Sequence, residues 1–144
     1  SLWLATRDDQ ADPNSKDPVL RESSRLTAAG GFWVQATFDV IQWPKILGLP
    51  EDKTPYWGMV KSSKILLGEK RFNELRKEMD MLGNMDKNDP PMHFSPGKEG
   101  QGVHSHRFVE VLKRRAKEAG ANLIIKDGRE SLMQFLIGKL NAKK

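Results

Sequence analysis

The 144-residue sequence contains no cysteine. Disulfides and thiolate-held metals are thereby excluded, and a reducing, intracellular compartment is the expectation. No uninterrupted apolar run approaches the roughly 18 residues that cross a bilayer, so no membrane span is expected. The first residues lack the basic region and apolar segment of a secretory leader. Histidine is scarce, with three copies, so imidazole chemistry would have to draw on His93, His104 and His106. No G-x-S-x-G elbow, H-E-x-x-H pair or other nucleophile–base set is recognisable. The sequence therefore points to no catalytic residue and no cofactor.

What is present suits a single modest core. Apolar residues make up 38% of the chain and charged residues 30%, too apolar for full disorder. The net charge is +5, and its placement is uneven. From His104 to Lys144 ten Lys or Arg face four Asp or Glu, while the first 103 residues are close to neutral. A basic C-terminal surface suits phosphate or an acidic protein.

Residues 1–25 read as a flexible or irregular arm, polar and proline-bearing after the apolar opening Ser-Leu-Trp-Leu. Residues 26–144 read as one helical domain, so the expected fold is mostly α, a compact domain of about five helices. Phe32, Ala36, Val40 and Trp43 recur at helical spacing, which predicts a helix ending at Trp43 before Pro44. Thr54 and Pro55 mark a second start and Gly68 its stop. Phe72, Leu75, Met79 and Leu82 make the buried stripe of a third helix, closed by Gly83. From Asn84 to Ser105 the chain reads as one long loop. His106–Ala119 then forms a basic helix closed by Gly120, Asn122–Lys126 a short apolar run, and a last helix buries Leu132, Phe135, Leu136 and Leu140. Trp33, Trp43, Tyr56 and Trp57 fall at apolar positions and read as core, with Trp3 the exposed exception.

The loop before the basic helix carries Gly97, Gly100 and Gly102. This is neither the phosphate loop, which ends in Gly-Lys-Ser/Thr, nor the dinucleotide fingerprint. The stretch GKEG (97–100), followed by a helix, a glycine and an apolar run, resembles the G-x-x-G region of the K-homology RNA-binding domains. That resemblance covers about 30 residues and implies a loop clamping a nucleic-acid backbone. Prolines stand here where those domains have a helix, and no family is assigned. His93, His104 and His106 with Glu99 or Asp89 have zinc-ligand chemistry, but they lie in a loop without obvious supporting shell, and no bound metal is expected.

The basic helix carries the stronger signal. Phe108, Leu112, Ala116 and Ala119 form its inner stripe, and Arg107, Lys113, Arg114 and Lys117 face outward. Arg115 falls within the stripe. Cations that neutralise phosphates release condensed counterions. The sequence thus predicts a non-enzymatic domain that contacts nucleic-acid phosphates through Lys98, Arg107, Lys113, Arg114, Arg115, Lys117, Lys126 and Arg129. The alternatives are a module binding an acidic protein partner and a metal-dependent enzyme centred on the histidine loop.

Overall fold

A computed structural model describes residues 1–53, 56–96, 99 and 102–142. Among them are six α-helices and three short strands. The elements in order are α1 (Leu2–Ala5), β1 (Ala29–Gly31), α2 (Trp43–Leu47), α3 (Trp57–Met79), α4 (Met81–Asn84), β2 (Met92–Phe94), α5 (His106–Ala119), β3 (Leu123–Ile125) and α6 (Arg129–Asn141). The chain is mostly helical, as the sequence suggests, but its organising centre is a sheet. The three strands lie side by side in the order β1-β2-β3, all parallel. None of the helices is long and apolar enough to cross a membrane.

The register divides the sheet into two faces. Ala29, Met92 and Leu123 are partners across the strands, as are Gly31, Phe94 and Ile125. Since side chains alternate along a strand, these six share one face. Against it pack Phe108, Val109, Leu112 and Ala116 of α5, with Trp43 and Leu47 of α2 and Met81 and Met85. Gly30, His93 and Ile124 form the middle row and face the other way. There α6 lies so close that a Cβ on Gly30 would collide with Leu132 and also with the His93 main-chain oxygen, which cannot swing aside, and that is why glycine stands at that position.

α5 matches the sequence reading in both bounds. The Ser105 side chain accepts a hydrogen bond from the Arg107 N–H and starts the helix. Gly120, at φ 71°, ends it in the left-handed conformation, and Ala121 N–H donates to Ala116 C=O at 2.9 Å. These are the usual means of satisfying free helix-end groups.

Elsewhere the structure corrects the reading. The segment expected to be helical before Pro44 is β1, then an irregular run in line with its β-branched and aromatic composition, and only Val40–Gln42 at its end forms a helical turn, of the 3-10 kind. Pro44 opens α2 rather than closing a helix, since a proline in the first turn loses no helical hydrogen bond. The expected loop 84–105 contains β2, whose three residues are all buried. Pro91 is tolerated just ahead because its carbonyl, not a missing N–H, is what the sheet uses: it accepts from Ala29 N–H at 3.0 Å. Gly83 lies inside α4. Gly68 does break α3, with φ 71° and ψ 162°, but the expected cap Thr54 and Pro55 fall outside the described residues.

Burial differs too. Trp43 is core, but Trp33 and Tyr56 are each about half exposed. Trp3 is half-buried and donates from Nε1 to Glu78 C=O at 2.9 Å. Leu140, expected inside, is exposed. Leu2, Ala5 and Thr6 are buried, so the irregular N-terminal segment starts at Arg7. Asp9 organises that segment by accepting from Ser23 Oγ, Ser24 N–H and Ala11 N–H. These bonds hold its carboxyl down at about 2.

Candidate functional site

In open parallel sheets the loops at the carboxyl ends of the strands are free to hold ligands, because the helices occupy the faces. Here that rim is built by Trp33 after β1, Ser95 after β2 and Lys126 after β3. Ser95 N–H donates to Gly31 C=O at 3.0 Å, and Lys126 N–H donates to Phe94 C=O at 3.1 Å, extending the ladder by a residue. The Ser95 hydroxyl accepts from Trp33 N–H at 3.2 Å. Trp33 sits at φ 51°, a conformation uncommon for a bulky side chain, and such outliers cluster at functional sites.

His104 reaches the same place. Its Nδ1 lies 3.0 Å from Trp33 C=O, and the two rings are 6.1 Å apart. A carbonyl can only accept, so Nδ1 carries the proton, and in the neutral ring Nε2 bears the lone pair. Nε2 has no protein partner among the described residues. Glu99 and His104 line one shallow cleft of about 270 Å³, together with Gly102, Val103 and Ser105. The neighbouring wall is tied down by Gln35, whose Nε2 donates to Val103 C=O at 3.0 Å.

The other two histidines are elsewhere. His93 is buried in the sheet, with Nε2 at 3.0 Å from Ser131 Oγ and its ring 5.3 Å from that of Phe135. His106 faces Glu110 along α5, at 3.9 Å. Among the described residues no three His, Asp or Glu side chains gather as a metal would require.

The predicted phosphate-binding cations separate into two groups. Arg107 donates from Nη1 to Leu47 C=O, and Arg115 donates to Leu82 C=O at 2.7 Å and to Met85 C=O at 2.9 Å. Both guanidinium groups are half-buried braces, using their rigid fork on main-chain acceptors. Arg107 is thus not on the outer face that the helical wheel assigned to it. Lys113, Arg114, Lys117, Lys126 and Arg129 are exposed. A helix that joins two parallel strands runs opposite to them, so Lys117 lies toward the amino ends of the strands and Lys126 at their carboxyl ends. The groove beside Arg114 also holds Glu51, Glu110 and Glu118, which offset most of the charge of Lys45, Arg107, Arg114 and Arg115. Lys98 and the glycines 97 and 100 fall outside the described residues. The strand β2 ahead of them is a further departure from the K-homology arrangement, which has a helix there.

Sequence reasoning missed Trp33, Gln35 and Ser95 as site residues. The one available signal was the Gly-Gly pair before Phe32, which marks a close approach of backbone. It also missed a second constellation. Asp39 and Arg76, 37 residues apart, form a bidentate pair with Nε–Oδ1 at 3.1 Å and Nη2–Oδ2 at 3.0 Å. Asp39 is buried, and its Oδ1 also accepts from Ile41 N–H.

No protein-family model and no curated protein matches the sequence. A solved structure does match in shape: the acetyl ester-xyloside bifunctional hydrolase from Caldicellulosiruptor lactoaceticus, with a TM-score of 0.57 over 86% of this chain at 18% identity. The match spans 39% of the hydrolase chain. At that identity the likeness is one of fold alone, the three parallel strands with their flanking helices.

Proposed function

We propose that this chain contributes a wall and an acid–base pair to a site that hydrolyses carboxyl esters. The observation that carries the reading is that His104 and Glu99 line one cleft at the carboxyl ends of a parallel sheet, with the imidazole held by the Trp33 carbonyl. Such a His presents a free lone pair in a fixed tautomer, the state a general base needs. In ester hydrolysis water adds to the carbonyl carbon, the alcohol leaves with a proton and the acid remains. His104 Nε2 takes the proton from the attacking oxygen and returns it to the leaving alkoxide. The Glu99 carboxylate offsets the positive charge on the ring between those two transfers. The reaction class is borrowed from the shape-matched hydrolase, which acts on acetyl esters by its description; the residues come from this chain alone. The test is release of nitrophenolate from para-nitrophenyl acetate. His104→Gln should lower kcat by about a hundredfold or more, the usual contribution of general base catalysis. Turnover at the buffer rate, or unchanged turnover in the variant, would remove the reading.

A second reading rests on the exposure of Lys113, Arg114 and Lys117 along one side of α5. These three would contact nucleic-acid phosphates, or the carboxylates of an acidic protein, without any chemistry. Arg107 and Arg115 take no part in it because both are committed to carbonyl oxygens.

A further inference from the structure

A larger cleft, of about 360 Å³, lies between the Phe38–Trp43 segment and α3. Its size is that of a small-molecule site, commonly about 300–1,000 Å³. Both halves of α3 line it, Met59 and Val60 from before Gly68 and Phe72, Leu75 and Met79 from beyond it, together with Tyr56 just ahead of the helix. Trp43 forms the floor, its ring edge-on to Tyr56 at 5.9 Å. The side chains at the mouth are ones that folding normally covers, yet Phe38 is 43% exposed, Tyr56 53% and Met59 59%. The polar content is concentrated in Asp39 and Arg76. Their charges cancel, but the guanidinium uses Nε and Nη2 on Asp39 and Nη1 has no protein acceptor among the described residues.

We infer that this cleft binds an uncharged apolar carbonyl compound, such as a ketone or an ester, with the carbonyl oxygen on Arg76 Nη1 and the apolar body between Trp43, Tyr56 and Phe72. A carboxylate is the wrong occupant, because Asp39 already balances the arginine and a further negative charge would be desolvated without a counterion. A pure hydrocarbon leaves the Nη1 donor without a partner once water is expelled. The helical wall can adjust to its guest. The part of α3 before Gly68 buries only Val60, and Tyr56, at φ 66°, begins that part in a conformation that side chains rarely adopt. Gln35 lines this cleft and braces Val103 of the Glu99–His104 cleft, so the two share a wall.

Binding is tested without any ester chemistry, which keeps its outcome separate from that of the hydrolase reading. The probe is benzylacetone, a neutral ketone with a phenyl group, titrated calorimetrically against hydrocinnamate, its carboxylate counterpart, and butylbenzene, which has no carbonyl. Saturable one-to-one binding of benzylacetone is expected, with both comparison compounds weaker by about tenfold or more, a gap of about 1.4 kcal/mol. Ser63→Trp fills the cleft and should abolish binding while leaving the thermal transition in place. Asp39→Asn removes the balancing charge and should shift the preference toward hydrocinnamate. No saturable binding of the ketone, equal binding of all three compounds, or full binding by a folded Ser63→Trp protein would each overturn the inference.

Discussion

α5 and α3 both carry apolar residues at helical spacing, and the protein treats them in opposite ways. α5 has 14 residues and buries Phe108, Val109, Leu112 and Ala116. α3 has 23 residues and buries Val60 and Phe72. α5 is capped by side chain and glycine at its two ends and lies on the sheet; α3 is broken at Gly68 and leaves Ile65 and Leu66 each 82% exposed. The difference lies in what each helix has to cover. The crossover between β2 and β3 must lay its apolar stripe on the sheet, whereas α3 belongs to a long excursion between β1 and β2 that joins the core through α2, Met81 and Met85 rather than through α3. Helix length and propensity create α3; tertiary packing secures α5. A binding cleft is more naturally walled by the first kind of helix, since local stability is low where few apolar contacts form.

The sharpest way to break this contrast is a matched pair of leucine truncations. Leu112→Ala opens a void in the fully buried layer under the sheet and should cost about 2–5 kcal/mol. Leu66→Ala removes an exposed side chain and should stay within about 0.5 kcal/mol. Chemical denaturation of the two variants measures both. A large loss at Leu66 would mean that α3 is covered in solution, and the division of the molecule into a secured and a loosely held part would fall.

The same contrast explains what could be read in advance. α5 was legible because its signals are local: Ser105 before the helix, apolar residues at four-residue spacing and Gly120 after it. The final helix and the extended Leu123–Ile125 were legible for the same reason. β2 was not, because Met92–Phe94 is too short for any alternation and is flanked by Pro91 and Pro96. What makes it a strand is its partners, Ala29–Gly31 and Leu123–Ile125, which stand about 60 and 30 residues away in the chain. The exposed cations of α5 were read correctly, but the braces were not. Arg107 and Arg115 are fixed by carbonyl groups of α2 and of the α4 region, positions that no helical wheel contains. The Asp39–Arg76 pair and the meeting of Trp33 with His104 are equally non-local.

Buried charge offers a finer probe of the secured part. Asp89 lies just before the sheet and is buried, with Oδ2 accepting from Asp86 N–H at 3.0 Å. Burial pushes its carboxyl from the usual 3.8 up to about 6, with the nearby Asp86 carboxylate adding to the effect and the Asp86 N–H bond opposing it. The folded protein therefore holds this proton more tightly than the unfolded chain. The associated stability is full below about pH 4 and is lost as pH rises through about 6. Asp89→Asn keeps an acceptor for Asp86 N–H and removes the titration. The variant should be more stable than the parent at pH 7 by about 2 kcal/mol, with the difference vanishing below about pH 4. Asp9 titrates in the opposite sense and below this window, because its lowered value of about 2 makes its contribution disappear only as pH falls beneath about 4. Melting curves of both proteins between pH 3 and 7 would decide the matter, and parallel curves would show that Asp89 is solvated.

The smallest expected effect on stability belongs to the outer face of α5, and it separates the two functional readings. Arg114 and Lys117 are exposed and make no side-chain hydrogen bond or ion pair among the described residues, so Arg114→Ala with Lys117→Ala should change stability by no more than about 0.5 kcal/mol. If these cations contact phosphates, the double variant should bind all nucleic-acid sequences more weakly. Its plot of log affinity against log salt should then flatten by roughly two units of slope. Arg115→Ala should behave differently. It leaves Leu82 C=O and Met85 C=O without their donor, at a cost of about 1–3 kcal/mol, and any loss of binding would follow from loss of fold. Titration of a short duplex at two salt concentrations measures the first effect, and denaturation the second. Failure of the parent protein to bind at low salt would remove the nucleic-acid reading and leave an acidic protein as the partner for the cations of α5, with the carboxyl-end rim as the other site to pursue.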